Sequence, residues 1–218
     1  MMIDDNMFKI REIITISDYI TLMNIILGMC AILFHDFRFI YIAIVFDALD
    51  GYVARKTNTV SDFGAELDSI CDVVSFGVAP SYLMYYYFNG TLSLIASLVF
   101  LICGALRLAR FGILDTKNFI GLPIPAGALI LAVSCEFFLK YNLINYNLSS
   151  FIIVPVFTII IGLLMISDIE YPKYPNKIIM GIFAISLILS AFGIFEPLGI
   201  CAVGYVCYGL FNHVLKIK

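Results

Sequence analysis

Eight long apolar runs, separated by short polar connections, leave this chain very few ways to fold. They cover Asp18 to Phe34, Phe39 to Ala54, Phe63 to Phe88, Thr91 to Leu114, Pro123 to Leu139, Leu148 to Ile166, Ile178 to Phe195 and Pro197 to Leu215. A helical crossing of a bilayer needs about 20 apolar residues, and within lipid every backbone N–H and C=O must be satisfied inside the structure. Continuous apolarity excludes the alternating pattern of a membrane barrel. The expected fold class is therefore all-α, a polytopic membrane bundle of about eight transmembrane helices. Only Glu196 and the turn at Pro197 divide the last two runs, so seven crossings, or six with a re-entrant pair, are the alternatives. The chain is 62% hydrophobic and 13% charged, with a mean hydropathy of +1.01, so one membrane domain over residues 18–218 accounts for nearly all of it.

Charge excludes some functions and orients the bundle. A net charge of -3 and a pI near 5.3 offer no basic surface to hold a nucleic-acid backbone. With eight crossings assumed, eleven of the basic residues (Lys9, Arg11, Arg55, Lys56, Arg107, Arg110, Lys117, Lys173, Lys177, Lys216 and Lys218) fall on one face and only Arg38 and Lys140 on the other. The positive-inside bias places both termini, and the connections after the second and fourth runs, in the cytoplasm. The six cysteines are dispersed through apolar runs without a C-x-x-C pair and read as small buried hydrophobes. Residues 1–17 mix acidic and basic side chains and have no small-residue cleavage site, so a removable signal peptide is not expected. Met7, Phe8, Ile10, Ile13 and Ile14 recur at roughly helical spacing, as in an amphipathic helix lying at the interface; a plain flexible tail is the alternative.

Four aspartates inside apolar runs are the feature that points to chemistry. Asp47 and Asp50 close the second run, and Asp68 and Asp72 lie in the first half of the third. Ionised groups at such depth are unfavourable unless paired or bound to metal. Spacings of three and four residues put each pair on one face of its helix, and the short connection makes the two helices antiparallel neighbours, so four carboxylates converge. Like charges this close require cations, and an all-oxygen ligand set favours Mg2+ or Mn2+ over zinc. Two such cations suit phosphoryl transfer, where they polarise phosphoryl oxygens and stabilise a leaving phosphate. Helix-end aspartates facing water are the alternative.

Asp47, Asp50, Gly51, Ala54, Arg55, Gly64, Asp68 and Asp72 together spell D-x2-D-G-x2-A-R-x8-G-x3-D-x3-D. This segment resembles the signature of the CDP-alcohol phosphotransferases, membrane enzymes with a six-helix catalytic core that displace CMP from a CDP-alcohol. The resemblance implies that Asp47, Asp50 and Asp68 ligate two divalent cations, and that Asp72 both touches the second cation and serves as catalytic base on the acceptor hydroxyl. Gly51, Ala54 and Gly64 are small enough for a nucleotide to approach the backbone, and Arg55 can pair with the diphosphate, so these four are expected to bind the CDP moiety. A homodimer is implied by the resemblance alone.

Three further stretches resemble the phosphatidylserine synthase branch of that family: CDVVSFGVAP from Cys71 to Pro80, RLARFGI from Arg107 to Ile113, and GLPIPAGA from Gly121 to Ala128. Thr21, Asn24 and Gly28 in the first run fit its T-x-x-N-x-x-x-G pattern. The resemblance implies a CDP-lipid donor and L-serine as acceptor, with Arg107 and Arg110, one turn apart, expected to meet the serine carboxylate. Positive-inside bias and lipid-phosphate binding are the other reading of those arginines. Ser75 and Asn24 are further acceptor-binding candidates, Ser75 against a plain helix-packing role. Residues Leu114 to Gly121 are expected to close over the acceptor as a small lid, and Glu136 with Lys140 to form a local ion pair. His35 and His213 have no identifiable partners. Another acceptor, such as glycerol phosphate or inositol phosphate, is the nearest rival; a carboxylate-lined cation transporter would explain the aspartates but neither the glycines nor Arg55.

Overall fold

A computed structural model describes residues 9–113, 119–141, 150–171 and 177–216. Every one of the eight apolar runs forms helix. After a single turn, α1 (Ile10–Ile13), comes α2 (Ile16–Phe34), α3 (Arg38–Thr57) and α4 (Asp62–Asp72), which passes through a π-helical turn at Val73–Val78 directly into α5 (Ala79–Phe88). Then follow α6 (Gly90–Ile113), β1 (Phe119–Ile120), α7 (Ile124–Lys140), α8 (Ser150–Ile166), β2 (Glu170–Tyr171), α9 (Lys177–Ala191) and α10 (Glu196–Lys216). The last two runs are thus separate helices. α2 and α6 are long and apolar enough to cross a membrane, at mean hydropathies of 1.8 and 2.2.

Local sequence sets the boundaries nearest the aspartates. Thr15 and Asp18 form a capping box at the start of α2, the Asp18 carboxylate accepting from the Thr15 N–H at 2.7 Å and from its hydroxyl at 2.8 Å. α3 ends where Asn58 turns left-handed (φ 55°), a conformation that asparagine tolerates and most residues do not. Ser61 then caps α4, its hydroxyl accepting from the Gly64 N–H at 3.0 Å. The wider π turn lies immediately before Pro80, which has no N–H to donate and whose ring an ordinary α-turn would not accept.

Packing departs from the expected neighbours. α2 packs extensively on α3 and also on α4 and the π turn, whereas α3 and α4 barely meet along their backbones. The two aspartate-bearing helices are therefore splayed around α2 rather than paired, leaving a cleft. α6 packs most heavily on α8, where Gly162 brings α8 against the Phe100 backbone, and α7 is buried along most of its length. Large apolar side chains on α2, α6, α8, α9 and α10 face outward, among them Ile26, Ile102, Leu163, Ile185 and Ile200.

Two features had no signal in the hydropathy. The fold is not purely helical, because β1 and β2 form a short antiparallel bridge with Phe119 opposite Tyr171 and Ile120 opposite Glu170. In the N-terminal segment the described part is one helical turn, broken by extended Ile14 and Thr15 before α2 begins at Ile16; residues 1–8 lie outside the described residues.

Gly121 joins this bridge to α7. Its φ of +79° is left-handed, and a Cβ there would lie 2.1 Å from the Met165 carbonyl oxygen. We predict that Gly121→Ala destabilises the protein by about 2–4 kcal/mol, read as a lower melting temperature in detergent. Gly112→Ala, on a helix with nothing within 4 Å of the new Cβ, should stay within about 1 kcal/mol of the parent. Equal melting temperatures for the two variants would refute the constraint.

Candidate active site

α3 turns Asp47 and Asp50 toward the cleft, and α4 turns Asp68 and Asp72 toward it from the other side. One carboxylate oxygen from each of Asp47, Asp50 and Asp68 lies within 4.8 Å of the others. Asp50 and Asp72 are 6% and 5% exposed. Asp50 Oδ2 and Asp68 Oδ1 are buried without a hydrogen-bond partner among the described residues. Buried carboxylate oxygens normally have partners, and lone anions at this depth are strongly unfavourable. The missing partner fits a divalent cation: the donors are all oxygen, and their spread is close to the about 4 Å diameter of an octahedral Mg2+ shell.

Asp72 lies beside that trio, within hydrogen-bonding reach of Asp47, and has further partners of its own. Asn24 Nδ2, from α2, donates to its Oδ1 at 3.2 Å, and the charge of Arg107 acts on it from α6. Arg107 is itself 6% exposed, within electrostatic reach of Asp72 and Asp47, with its guanidinium 5.1 Å from the Phe111 ring centroid and 5.7 Å from that of Phe119. A buried carboxylate, its orienting amide and a buried guanidinium therefore share one wall of the cleft, beside the trio.

α2 is the ruler that sets these distances. Thr21, Asn24 and Gly28 lie along one face of it. Thr21 reaches Asp50, Asn24 reaches Asp72, and at Gly28 a Cβ would fall 2.6 Å from the Ser75 Cα, so the π turn rests directly on the α2 backbone. Lower down, Gly64 leaves room for Asp18, whose Oδ1 would sit 2.9 Å from a Cβ at that position. Asp18 escaped the sequence reading although the T-x-x-D spacing of its capping box was present.

Arg55 is at the exposed rim of α3, within electrostatic reach of Asp50, and its guanidinium lies across Gly51, with Nη1 3.3 Å from where a Cβ would be; Ala54 is half-buried at the preceding position. Not every other expected site residue arrives. Arg110, expected beside Arg107, points the other way. It donates to the carbonyls of Ile120 (2.8 Å), Ser167 (3.0 Å), Met165 and Ile166 (both 3.2 Å) and pairs with Asp168 at 3.6 Å, tying the end of α8 to β1. Ser75, expected to touch the acceptor, is fully buried and donates to the Asn24 carbonyl at 2.8 Å, which is helix packing. Of the expected lid, residues 114–118 lie outside the described residues, while Phe119 to Gly121 are fixed by the bridge and by the Gly121 N–H donating to Ile169. At the opposite end of the bundle Glu136 does not pair with Lys140. It accepts from the Tyr41 hydroxyl at 2.6 Å, and Lys140 pairs with Glu196. His35 does have partners, the Tyr82 hydroxyl at 3.0 Å and the stacked ring of Tyr86.

Similarity to known proteins extends over most of the chain. Residues 14–166 match the CDP-alcohol phosphatidyltransferase family. The chain is 60% identical over 209 residues to the CDP-diacylglycerol–serine O-phosphatidyltransferase of Methanocaldococcus jannaschii, covering 95% of this chain and 98% of that one. It is 36% identical over 217 residues to the enzyme of the same name from Helicobacter pylori, covering 91% of each. An archaetidylserine synthase of Methanothermobacter thermautotrophicus is 36% identical over 182 residues, 76% of this chain and 72% of that one.

The partnerless oxygens of Asp50 and Asp68 yield a binding prediction. Mn2+ or Mg2+ should raise the melting temperature of the purified protein, by the equivalent of about 2.7 kcal/mol at a hundredfold excess over Kd. Asp50→Asn and Asp68→Asn should abolish that rise. The same rise in parent and both variants would take these carboxylates out of the metal site.

Proposed function

The chain belongs to the CDP-alcohol phosphatidyltransferase family, and on that premise we propose that it transfers the phosphatidyl group of CDP-diacylglycerol, or of its ether-lipid counterpart, to the hydroxyl of L-serine, giving phosphatidylserine and CMP. The observation that carries the choice of acceptor is the buried pair formed by Asp72, oriented by Asn24, and Arg107. Serine brings one group for each: a hydroxyl for the carboxylate and a carboxylate for the guanidinium. With Arg110 committed to backbone carbonyls, a single buried arginine among the described residues faces the cleft, fewer cations than an acceptor bearing its own phosphate calls for.

In this reading Asp47, Asp50, Asp68 and Asp72 would hold two divalent cations, Mn2+ or Mg2+, which when bound offset the charge of the diphosphate and of the departing phosphate. The protein's own groups do the rest. Arg55 swings from the rim of α3 onto the diphosphate. Arg107 anchors the serine carboxylate, and Asn24 aims Asp72 at the serine hydroxyl. Asp72 takes the hydroxyl proton as the oxygen attacks the lipid-bearing phosphorus; the bond from that phosphorus to the bridging oxygen breaks, and CMP leaves with the electron pair. Most of the acceleration comes from holding both substrates in line inside a cleft that excludes water.

The topology belongs to the same proposal. Eight crossings with cytoplasmic termini put the aspartate ends of α3 and α4 at the cytoplasmic face of the cell membrane, where serine and CMP are dissolved. The protein works there as a homodimer, as the family resemblance implies.

The test is CMP release from a CDP-lipid by the purified protein with Mn2+ or Mg2+, comparing L-serine, glycerol 3-phosphate and inositol phosphate. We predict serine-dependent release, lowered about 10²–10⁴-fold by Asp72→Asn with the KM for the CDP-lipid little changed. Release with a phosphorylated acceptor and none with serine would overturn the acceptor assignment.

A further inference from the structure

Two rings stand against the Arg107 guanidinium, and only one of them comes from its own helix. The guanidinium carbon lies 5.1 Å from the Phe111 ring centroid and 5.7 Å from that of Phe119, and the two centroids are 5.8 Å apart with their planes at 44°. Three nearly equal sides form a triangle with Arg107 at one apex, so both rings stand to one side of the guanidinium and make an aromatic corner for it. Each is close enough for cation–π attraction, which strengthens where water is scarce, and Arg107 is 6% exposed.

Phe111 follows Arg107 by four residues on α6, and helix geometry alone puts it there. Phe119 has no such guarantee, because β1 is two residues long and pairs with an equally short β2. The bonds around it come from α8. Arg110 Nη2 donates to the carbonyl of Ile120, the residue next to Phe119, and the same guanidinium donates to Met165, Ile166 and Ser167 where α8 ends. Carbonyls at a helix C-terminus lack intrahelical partners, and the planar fork of arginine can serve several at once, as a lysine cannot. The Leu122 N–H, donating to the Leu164 carbonyl at 3.0 Å, fastens the other end of the same crossing. Arg110 therefore lies one turn from Arg107 on α6 yet reaches it by way of α8 and β1.

We propose that Arg110 and Phe119 are positioning residues of the acceptor site: Arg110 ties β1 to the end of α8, β1 presents Phe119, and Phe119 with Phe111 backs the Arg107 guanidinium so that it stays beside Asp72 and Asp47. Neither Arg110 nor Phe119 touches the acceptor. Their contribution is to hold a long, many-jointed side chain in one arrangement before the acceptor arrives, which removes an ordering cost from binding. The proposal rests on the reading of Arg107 as the anchor of the serine carboxylate.

The test uses the full chain in detergent with Mn2+ or Mg2+. KM for L-serine, KM for the CDP-lipid, kcat and melting temperature are measured for Phe119→Leu, Phe119→Tyr, Arg110→Gln, Arg110→Gln combined with Phe119→Leu, and Arg107→Gln. Phe119→Leu is expected to raise the serine KM about three- to tenfold with the CDP-lipid KM unchanged, the size of one lost cation–π contact. Phe119→Tyr keeps a ring and should stay at the parental value. Arg110→Gln should raise the serine KM at least as much, and adding Phe119→Leu to it should bring no further rise, because both act through the same contact. An unchanged serine KM in Phe119→Leu would overturn the proposal, whatever happens to the melting temperature. So would rises that multiply in the combined variant, since Arg110 would then act by another route. Should Arg110→Gln be too unstable to assay, the Leu and Tyr variants at Phe119 decide alone. Arg107→Gln separates the two levels: if it raises the serine KM while Phe119→Leu does not, the aromatic backing alone fails, and if it too has no effect, the reading of Arg107 fails with it.

Discussion

Repulsion among carboxylates gathered in a partly buried cleft is the constraint around which this molecule is organised. Asp47, Asp50, Asp68 and Asp72 would relax most readily by moving apart, and α3 and α4, which barely touch, do nothing to prevent it. What prevents it is α2. Its contacts with both helices, its Asn24 on Asp72 and its Gly28 under the π turn fix the separation from a third side. The π turn has a matching role. It precedes Pro80 and sets Ser75 on the Asn24 carbonyl, so the same asparagine holds Asp72 by its side chain and the following turn by its backbone.

Much of this was legible in the sequence. The apolar runs gave every principal helix because lipid-length apolarity has one structural solution, and the four aspartates marked the site because nothing else tolerates them at that depth. The separation of Arg107 from Arg110 was not legible. Both lie on one helix a single turn apart, and what divides them is which carbonyls another element presents: α8 ends beside Arg110 and offers it Met165, Ile166 and Ser167. The same holds for Lys140, four residues from Glu136 in sequence but drawn to Glu196 by the arrival of α10. Local spacing proposes such pairs; tertiary packing decides between them.

The bridge between β1 and β2 shows why the C-terminal half matters although its helices carry no motif. Gly121 allows the chain to pass within touching distance of α8, Arg110 staples the crossing, and β1 then carries Phe119 to the flank of Arg107, with Tyr171 opposite Phe119 on β2. A two-residue strand leaves almost no periodicity to read, and its partner lies some fifty residues away, so no local pattern announces it.

The gap between α3 and α4 has a kinetic meaning as well as a chemical one. Leu49 and Tyr52 on α3 and Ile70 on α4 face outward beside the aspartates, so the cleft is bordered by surface that matches hydrocarbon. A lipid entering there does so by sliding within the plane of the bilayer, while a water-soluble acceptor arrives from above. The two substrates then obey different units. The acceptor counts by its concentration in solution and the lipid by its mole fraction in the sheet, so diluting the membrane with inert lipid slows the enzyme even when the total amount of donor in the tube is unchanged.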